Sequence, residues 1–419
     1  MGTKEARRTL SIRHKIVRIT LDIVLILLIT LVLLVVTELL LRLIYPRDDF
    51  KSERISYQYD SLLLIRLKSG IERTYVRDAV DGNDTIHWNI TEEGFRGKPL
   101  KKEKRRIMVF GDSNVQGVFS ADDKTFCARL ESWLTTLTGK EVEVVNAGTV
   151  GFGTDQCLLR FSRDAVMYHP DDVVFVVFGH NDYGDIIRNR LFELDDHDSL
   201  VITRYNRHLD PLLQKPGWFT NIRIMDLVRK FRKKAGLNRQ PDHKEVVDLT
   251  IQQYRNLCDQ QFQNYLEHGP NIYSHFFDNY DMDVAAFPDS HAARVKVLLM
   301  EGVLKLAQEE AVRQNANLVL VILPSAIDIT TNRSINRHDL ERFPGYKPTN
   351  LTDPLEHIAV KYHIPYLNLY PVYSGYYPNT LYFSGTFNDH WTDLGQEIAA
   401  ENTAELLLSI WKSQERSMP

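Results

Sequence analysis

Five short apolar runs, RIMVFG, VEVVNAG, DDVVFVVFG, NLVLVILP and IPYLNLY, recur between residues 106 and 370. Each is bounded by Gly, Pro or polar turn residues, and most are rich in Val and Ile. Runs that stay apolar at successive positions, rather than at alternate ones, suit strands buried on both faces of a parallel sheet. Between them lie stretches with a helical pattern, KTFCARLESWLTTLTG, TDQCLLRFSRDAVMY and SHAARVKVLLMEGVLKLAQEEAVRQNA. Strand and helix in alternation predict a doubly wound α/β domain. In such a sheet functional groups gather beyond the carboxyl ends of the strands, so the residues that follow each run carry the chemistry to be tested.

A different pattern opens the chain. VRITLDIVLILLITLVLLVVTELLLRLIY is apolar over more than the roughly 20 residues that a membrane-spanning helix needs. Its uncharged centre runs from Ile23 to Thr37, with Asp22 and Glu38 near its ends. Lys4, Arg7, Arg8, Arg13, Lys15 and Arg18 precede it, against Arg42 and Arg47 behind. The positive-inside bias predicts a single-pass signal anchor over residues 19–44, with residues 1–18 a cytoplasmic basic tail and the rest extracytoplasmic, periplasmic or extracellular. A cleaved signal peptide would have a shorter apolar core ending in small residues, and the exit LLLRLIYPR has no such site.

Residues 45–105 read as a strand-rich leader, with alternating stretches such as TIHWNIT, followed by EEGFRG and a solvated linker, KPLKKEKRR. The α/β domain then occupies residues 106–419, with an insertion at about 183–289. The insertion holds two helix candidates, IRIMDLVRKFRKKAG and KEVVDLTIQQYRNLCDQQFQNYLEHG. The basic cluster Arg229, Lys230, Arg232, Lys233 and Lys234 reads as a solvated helix face, with contact to lipid headgroups or an anionic glycan the alternative.

Composition narrows the classes. The chain has 419 residues, a net charge of −4 and 25% charged residues, which fits one large globular domain or two modest ones and gives no general pull towards nucleic acid. Cys127, Cys157 and Cys258 are too few for a disulfide framework and read as buried thiols, with one pair feasible and one left over. No histidine pair has metal-ligand spacing, so neither a metal nor a cofactor is expected. The sequons at Asn83, Asn89, Asn332 and Asn350 matter only in a host that glycosylates exported proteins.

Four strand-end segments hold candidate chemistry. GDSNVQG places Ser113 at a strand-to-helix turn, as a nucleophile or as a plain helix cap. NAGTVGFGT offers Gly148, Gly151 and Gly153, which either admit a substrate close to backbone amides or simply shape a loop. GHND offers the Asn181 amide, which could equally satisfy its own turn. GTFNDHWTDLG holds His390, a helix-start residue or a base, since an ordinary imidazole titrating near ~6.5 suits a serine hydroxyl.

In this order GDSNVQG, NAGTVG, GHND and NDHWTDLG resemble the four signature blocks of the SGNH (GDSL-type) hydrolase superfamily, from Arg106 to the C-terminus outside the insertion and a second one after Pro324. The resemblance implies a three-layer α/β/α sandwich around a mainly parallel five-stranded sheet of flavodoxin-like order. It implies Ser113 as nucleophile and His390 as base, with Ser113 N–H, Gly151 N–H and Asn181 as the oxyanion hole. Gly151 is preferred to Gly148 because the family's glycine follows the turn. One position departs: the usual acid, three residues before the histidine, is Phe387 here. The run Asn388-Asp389-His390-Trp391-Thr392 is similar to the Asp-x-His-Trp-Thr block of alginate O-acetyltransferase-like members, with asparagine where that acid stands. Asp389 is the favoured orienting residue, because a carboxylate also stabilises an imidazolium; Asn388 or a backbone carbonyl is the alternative. The expected function is a membrane-anchored serine esterase or O-acyltransferase acting on ester groups, O-acetyl above all, of a cell-surface polysaccharide or other acylated glycan. A lysophospholipase-like lipid esterase, or a non-catalytic glycan- or partner-binding module on the same fold, are the competing readings.

Overall fold

The computed structural model describes residues 2–44, 56–79, 82–101, 104–203, 224, 231, 251–268, 280–330, 334–335, 338–383 and 390–417. The chain divides into two units; α1 (Gly2–Ile44) belongs to one, and Arg54–Leu213 with His243–Pro419 form the other. Within α1, Val17–Leu41 is long and apolar enough to cross a membrane, and none of its most apolar stretch is buried. A soluble core helix would hide such a surface.

The second unit opens with two antiparallel hairpins, β1 (Tyr57–Asp60) with β2 (Leu64–Leu67) and β3 (Ile71–Ala79) with β4 (Gly82–Ile90). The central sheet follows: β5 (Arg105–Phe110), β6 (Val142–Asn146), β7 (Asp172–Phe178) and, after the short hairpin β8 (Phe192–Leu194) with β9 (Leu200–Ile202), β10 (Asn317–Leu323). A two-residue pair, β11 (Ser334–Ile335) and β12 (His338–Asp339), precedes the last sheet strand, β13 (Tyr366–Asn368). The five sheet strands are all parallel, in the order β13-β10-β7-β5-β6, the flavodoxin-like order. All five apolar runs are strands of this sheet.

The sheet is buried on both faces, as unbroken apolar runs require. In β7, Val173, Phe175 and Val177 join one core cluster, while Val174, Val176 and Phe178 join the other. β10 alternates likewise, Leu318, Leu320 and Ile322 against Val319, Val321 and Leu323. The first face is covered by α4 (Thr154–Tyr168), through Cys157, Phe161 and Ala165, and by the long helix over His291–Arg313. The second is covered by α3 (Phe126–Thr138) and by the C-terminal helix over Asp393–Ser417. This is the three-layer α/β/α sandwich.

The insertion is part helical: α5 (Asp182–Asn189) opens it, Ile251–His268 is its second long helix, and Met282–Ala286 is a short one near its end. Most of the predicted basic helix, including Arg229, Lys230, Arg232, Lys233 and Lys234, lies outside the described residues. The three cysteines are buried free thiols, so the feasible pair is not made. The linker reading changes at its end: Arg105 and Arg106 belong to β5, where Arg105 pairs with Asp172 at 2.7 Å and Arg106 with Glu143 at 2.5 Å.

Candidate active site

β5 lies between β6 and β7, so the loops that carry Ser113, Gly148–Gly153 and Asn181 rise at the carboxyl ends of three adjacent strands. Ser113 opens α2 (Ser113–Gln116), a helix of only four residues that Gly117 ends in the left-handed conformation. The expected helix N-terminus is therefore one turn, and its dipole adds little, since that effect grows from aligned peptides. Asp112 caps the turn, accepting from the Asn114 N–H at 2.8 Å and from Asn114 Nδ2 at 3.3 Å.

His390 stands 277 residues from Ser113 in sequence, yet its Nε2 is 2.8 Å from Ser113 Oγ. The segment that carries it is fixed by its neighbours. Trp391 donates its backbone N–H to Asn114 Oδ1 at 3.1 Å and its indole N–H to the Asn114 carbonyl at 2.9 Å. The Trp391 ring is buried and stacked on Phe126, 5.5 Å between centroids. Phe119 meets the His390 imidazole edge-on at 5.0 Å, and Phe383 meets Phe119 at 5.9 Å, so one flank of the imidazole is aromatic. Asn388 and Asp389 lie outside the described residues, as does Phe387.

The two candidate glycines differ. Gly148 donates its N–H to Asn146 Oδ1 at 3.0 Å, and a Cβ there would come within 2.3 Å of the Gln116 nitrogen. Gly148 is thus a packing glycine that lets the loop lie against α2. Gly151 has φ +70°, and a Cβ would meet only Arg188 Nη2, at 3.9 Å. Its surroundings are open, where those of Gly148 are closed. Gly153 shapes the loop, its N–H donating to Gln156 Oε1 at 3.0 Å.

Asn181 precedes α5, and its Nδ2 donates to Asp185 Oδ2 at 3.3 Å while its Oδ1 is buried without a hydrogen-bond partner among the described residues. An orphaned amide oxygen costs about 1–3 kcal/mol. The opposite orientation would be worse, because it would set that oxygen against the Asp185 carboxylate. Asp182, the acid of GHND, is buried; burial first, then the Asp112 and Asp185 charges, push its carboxyl well above the usual range. Its Oδ2 accepts from the Phe178 N–H at 2.8 Å.

Residues 109–291 match the GDSL-like Lipase/Acylhydrolase family. The matched segment lies within the α/β unit. The match takes in Ser113, Gly151 and Asn181; His390 lies beyond it, and the fold brings it in. None of the curated proteins matches the chain by sequence. Similar solved structures include a lipase/acylhydrolase from Enterococcus faecalis, 15% identical, covering 74% of this chain and 96% of that one with a TM-score of 0.35. A catalytic mutant of an acetylxylan esterase from Geobacillus stearothermophilus is 12% identical, covering 73% and 96% with a TM-score of 0.36.

The site depends on residues that sequence reasoning passed over. Asn114, the fourth letter of GDSN, is one; its contacts run to Trp391, which no spacing rule connects to it. Arg96, from the leader, is another. It is buried, and donates to the carbonyls of Gln116 at 2.6 Å, of Ser120 at 2.5 Å and of Gly117. Its Nε pairs with Asp122 at 2.9 Å. A buried arginine grips the loop behind the Ser113 turn, so EEGFRG is part of the site's support. At the start of the last helix Asp393 accepts from Ser120 Oγ at 2.6 Å, and Thr392 Oγ1 accepts the Gly395 N–H at 3.2 Å in the capping place.

Proposed function

We propose that this protein is a serine esterase, anchored in a membrane by α1, in which Ser113 is the nucleophile and His390 the base. The observation that carries the reading is the 2.8 Å contact of Ser113 Oγ with His390 Nε2. With Nε2 unprotonated, the imidazole takes the hydroxyl proton as Oγ attacks an ester carbonyl carbon. The oxyanion so formed is held by the N–H groups of Ser113 and Gly151 and by the Asn181 amide. Collapse expels the alcohol, which takes the proton back from Nε2, and leaves an acyl-serine. Water, or a sugar hydroxyl in the transferase case, then attacks that ester with His390 again as base. Asp389 is the proposed orienting acid, with Asn388 the alternative.

The substrate we propose is an O-acetylated glycan outside the cytoplasm. The support is the resemblance of the Asn388–Thr392 block to that of O-acetyltransferases and the basic residues before α1, which favour a cytoplasmic N-terminus.

The test uses the full chain in detergent micelles with p-nitrophenyl acetate. Wild type is expected to turn it over, to be labelled at Ser113 by a fluorophosphonate, and to lose about 10³-fold or more in rate as Ser113→Ala. An inert wild type, or a Ser113→Ala variant of equal rate, overturns the reading. Asp389→Ala slower than Asn388→Ala by tenfold or more, on the order of an orienting group's worth, supports the acid assignment. Acetate release from acetylated xylan without fatty acid release from a lysophospholipid supports the glycan substrate; the reverse replaces it with a lipid ester.

A further inference from the structure

Two of the three proposed oxyanion donors sit on different loops, and a short chain of contacts joins them. Asn181 Nδ2 donates to Asp185 Oδ2 at 3.3 Å. Asp185 Oδ1 pairs with Arg188 Nη1 at 2.6 Å, the carboxylate fully buried and the arginine largely so. Arg188 Nη2 donates to the Gly151 carbonyl at 2.5 Å. We propose that Asp185 and Arg188 are positioning residues that lock the Asn181 amide and the Gly151 loop into one oxyanion-binding unit. The inference rests on the esterase reading of Ser113 and adds two residues to it.

Each link does something specific. An amide presents a donor at one end and an acceptor at the other, and only the donor end stabilises a developing negative charge. The Asp185 carboxylate accepts hydrogen bonds and donates none, so it selects the rotamer that brings Nδ2 towards it, and the second N–H of the same nitrogen remains for the substrate oxygen. Gly151 lacks a side chain to restrict its φ and ψ, and its φ of +70° is one of several a glycine adopts freely. Arg188, by holding its carbonyl, supplies the restriction from outside. The guanidinium is suited to both tasks at once because its two terminal nitrogens are fixed in one plane. A lysine has one nitrogen and reaches one partner well. The far side of the loop is tied to the same helix: Asn189 Nδ2 donates to Asp155 Oδ1 at 2.9 Å and to Gln156 Oε1 at 2.7 Å. The i,i+3 pair of Asp185 and Arg188 also steadies α5, so a purely structural role is the reading to be beaten.

The full chain in detergent micelles is compared with Arg188→Ala, Arg188→Lys and Asp185→Ala, reading kcat and KM for p-nitrophenyl acetate and amide hydrogen exchange across residues 148–153. Asp185→Ala empties a buried site, and Arg188→Lys keeps the charge should that variant fail to fold. Expected is a fall in kcat of about 10–100-fold for Arg188→Ala with KM little changed, a smaller fall for Arg188→Lys, and faster exchange across residues 148–153 in both. A kcat equal to wild type in Arg188→Ala, or unchanged exchange in that loop, overturns the proposal. A fall in melting temperature with kcat retained assigns the pair to α5 stability alone and overturns it too. If wild type neither turns over the ester nor takes a fluorophosphonate, the esterase reading has failed on its own; exchange then decides the clamp, faster exchange upholding it and unchanged exchange overturning it.

Discussion

His390 owes its place to a residue next to Ser113. Asn114 accepts the Trp391 N–H through its side chain and the indole N–H through its carbonyl, and Asp112 holds Asn114 in turn. Ser113 and His390 are thereby referenced to one turn of chain, and the distance between them does not depend on the long path that joins them. Asn114→Ala removes the side-chain acceptor and leaves the Trp391 N–H buried without that partner. The expected result is a fall in kcat of about tenfold to a hundredfold, with Ser113 still present and the fold retained, read by ester turnover alongside circular dichroism. At the same scale, the sequon asparagines Asn89 and Asn350 are engaged: Asn89 Nδ2 donates to the Gly97 carbonyl at 2.8 Å, and Asn350 Nδ2 to those of Ala285 and Gly345 at 2.7 and 2.6 Å. A glycan on either nitrogen would cost those bonds.

Among the elements, the leader's role is the one least visible along the chain. Its hairpins belong to the same unit as the sheet, and Arg96 crosses from them to the carbonyls of residues 116, 117 and 120. Tyr57 also holds Gln116 on the same turn, its hydroxyl accepting from Gln116 Nε2 at 3.0 Å. Arg96→Ala strands several buried carbonyls and one face of Asp122. It is expected to destabilise the unit by about 3 kcal/mol, measured by urea unfolding, since breaking a buried charged pair leaves the remaining partners unsatisfied. Polar alternation marked β4 as a strand, but the burial of Arg96 had no sequence signal: an arginine before a glycine is ordinarily a surface residue. The apolar runs were legible for the opposite reason. Their burial on both faces leaves each strand little choice of residue type, and the pattern survives without any knowledge of neighbours.

For the molecule as a whole, buried acids set how stability varies with pH. Burial pushes the Asp155 carboxyl from an ordinary 3.8 up to about 7, against the lowering pull of Asn189 and of the Gln156 N–H. Between those values the folded chain holds a proton that the unfolded chain has released. This group's contribution is therefore fully present below about pH 4 and is lost as pH rises through about 7. Asp155→Asn keeps the oxygen that accepts from Asn189 and removes the titration. Thermal melts of the two proteins at pH 5 and pH 7 are expected to differ in slope, wild type losing on the order of 2 kcal/mol that the variant does not. An equal slope would mean that Asp155 keeps its ordinary acidity.

What the sequence by itself determined was everything local or periodic: the five strands, the apolar helix at the start, the glycine-marked loops and the serine at the end of β5. These follow from burial patterns and turn chemistry that each segment carries within itself. Tertiary structure alone decided which of two glycines faces open space, that Asn114 and Trp391 hold His390 beside Ser113, and that Arg96 and Arg188 brace the loops around them. Those contacts join residues dozens to hundreds of positions apart, and hydrogen-bond partners at such separations are selected by the packing of the sheet and its helices, not by spacing along the chain.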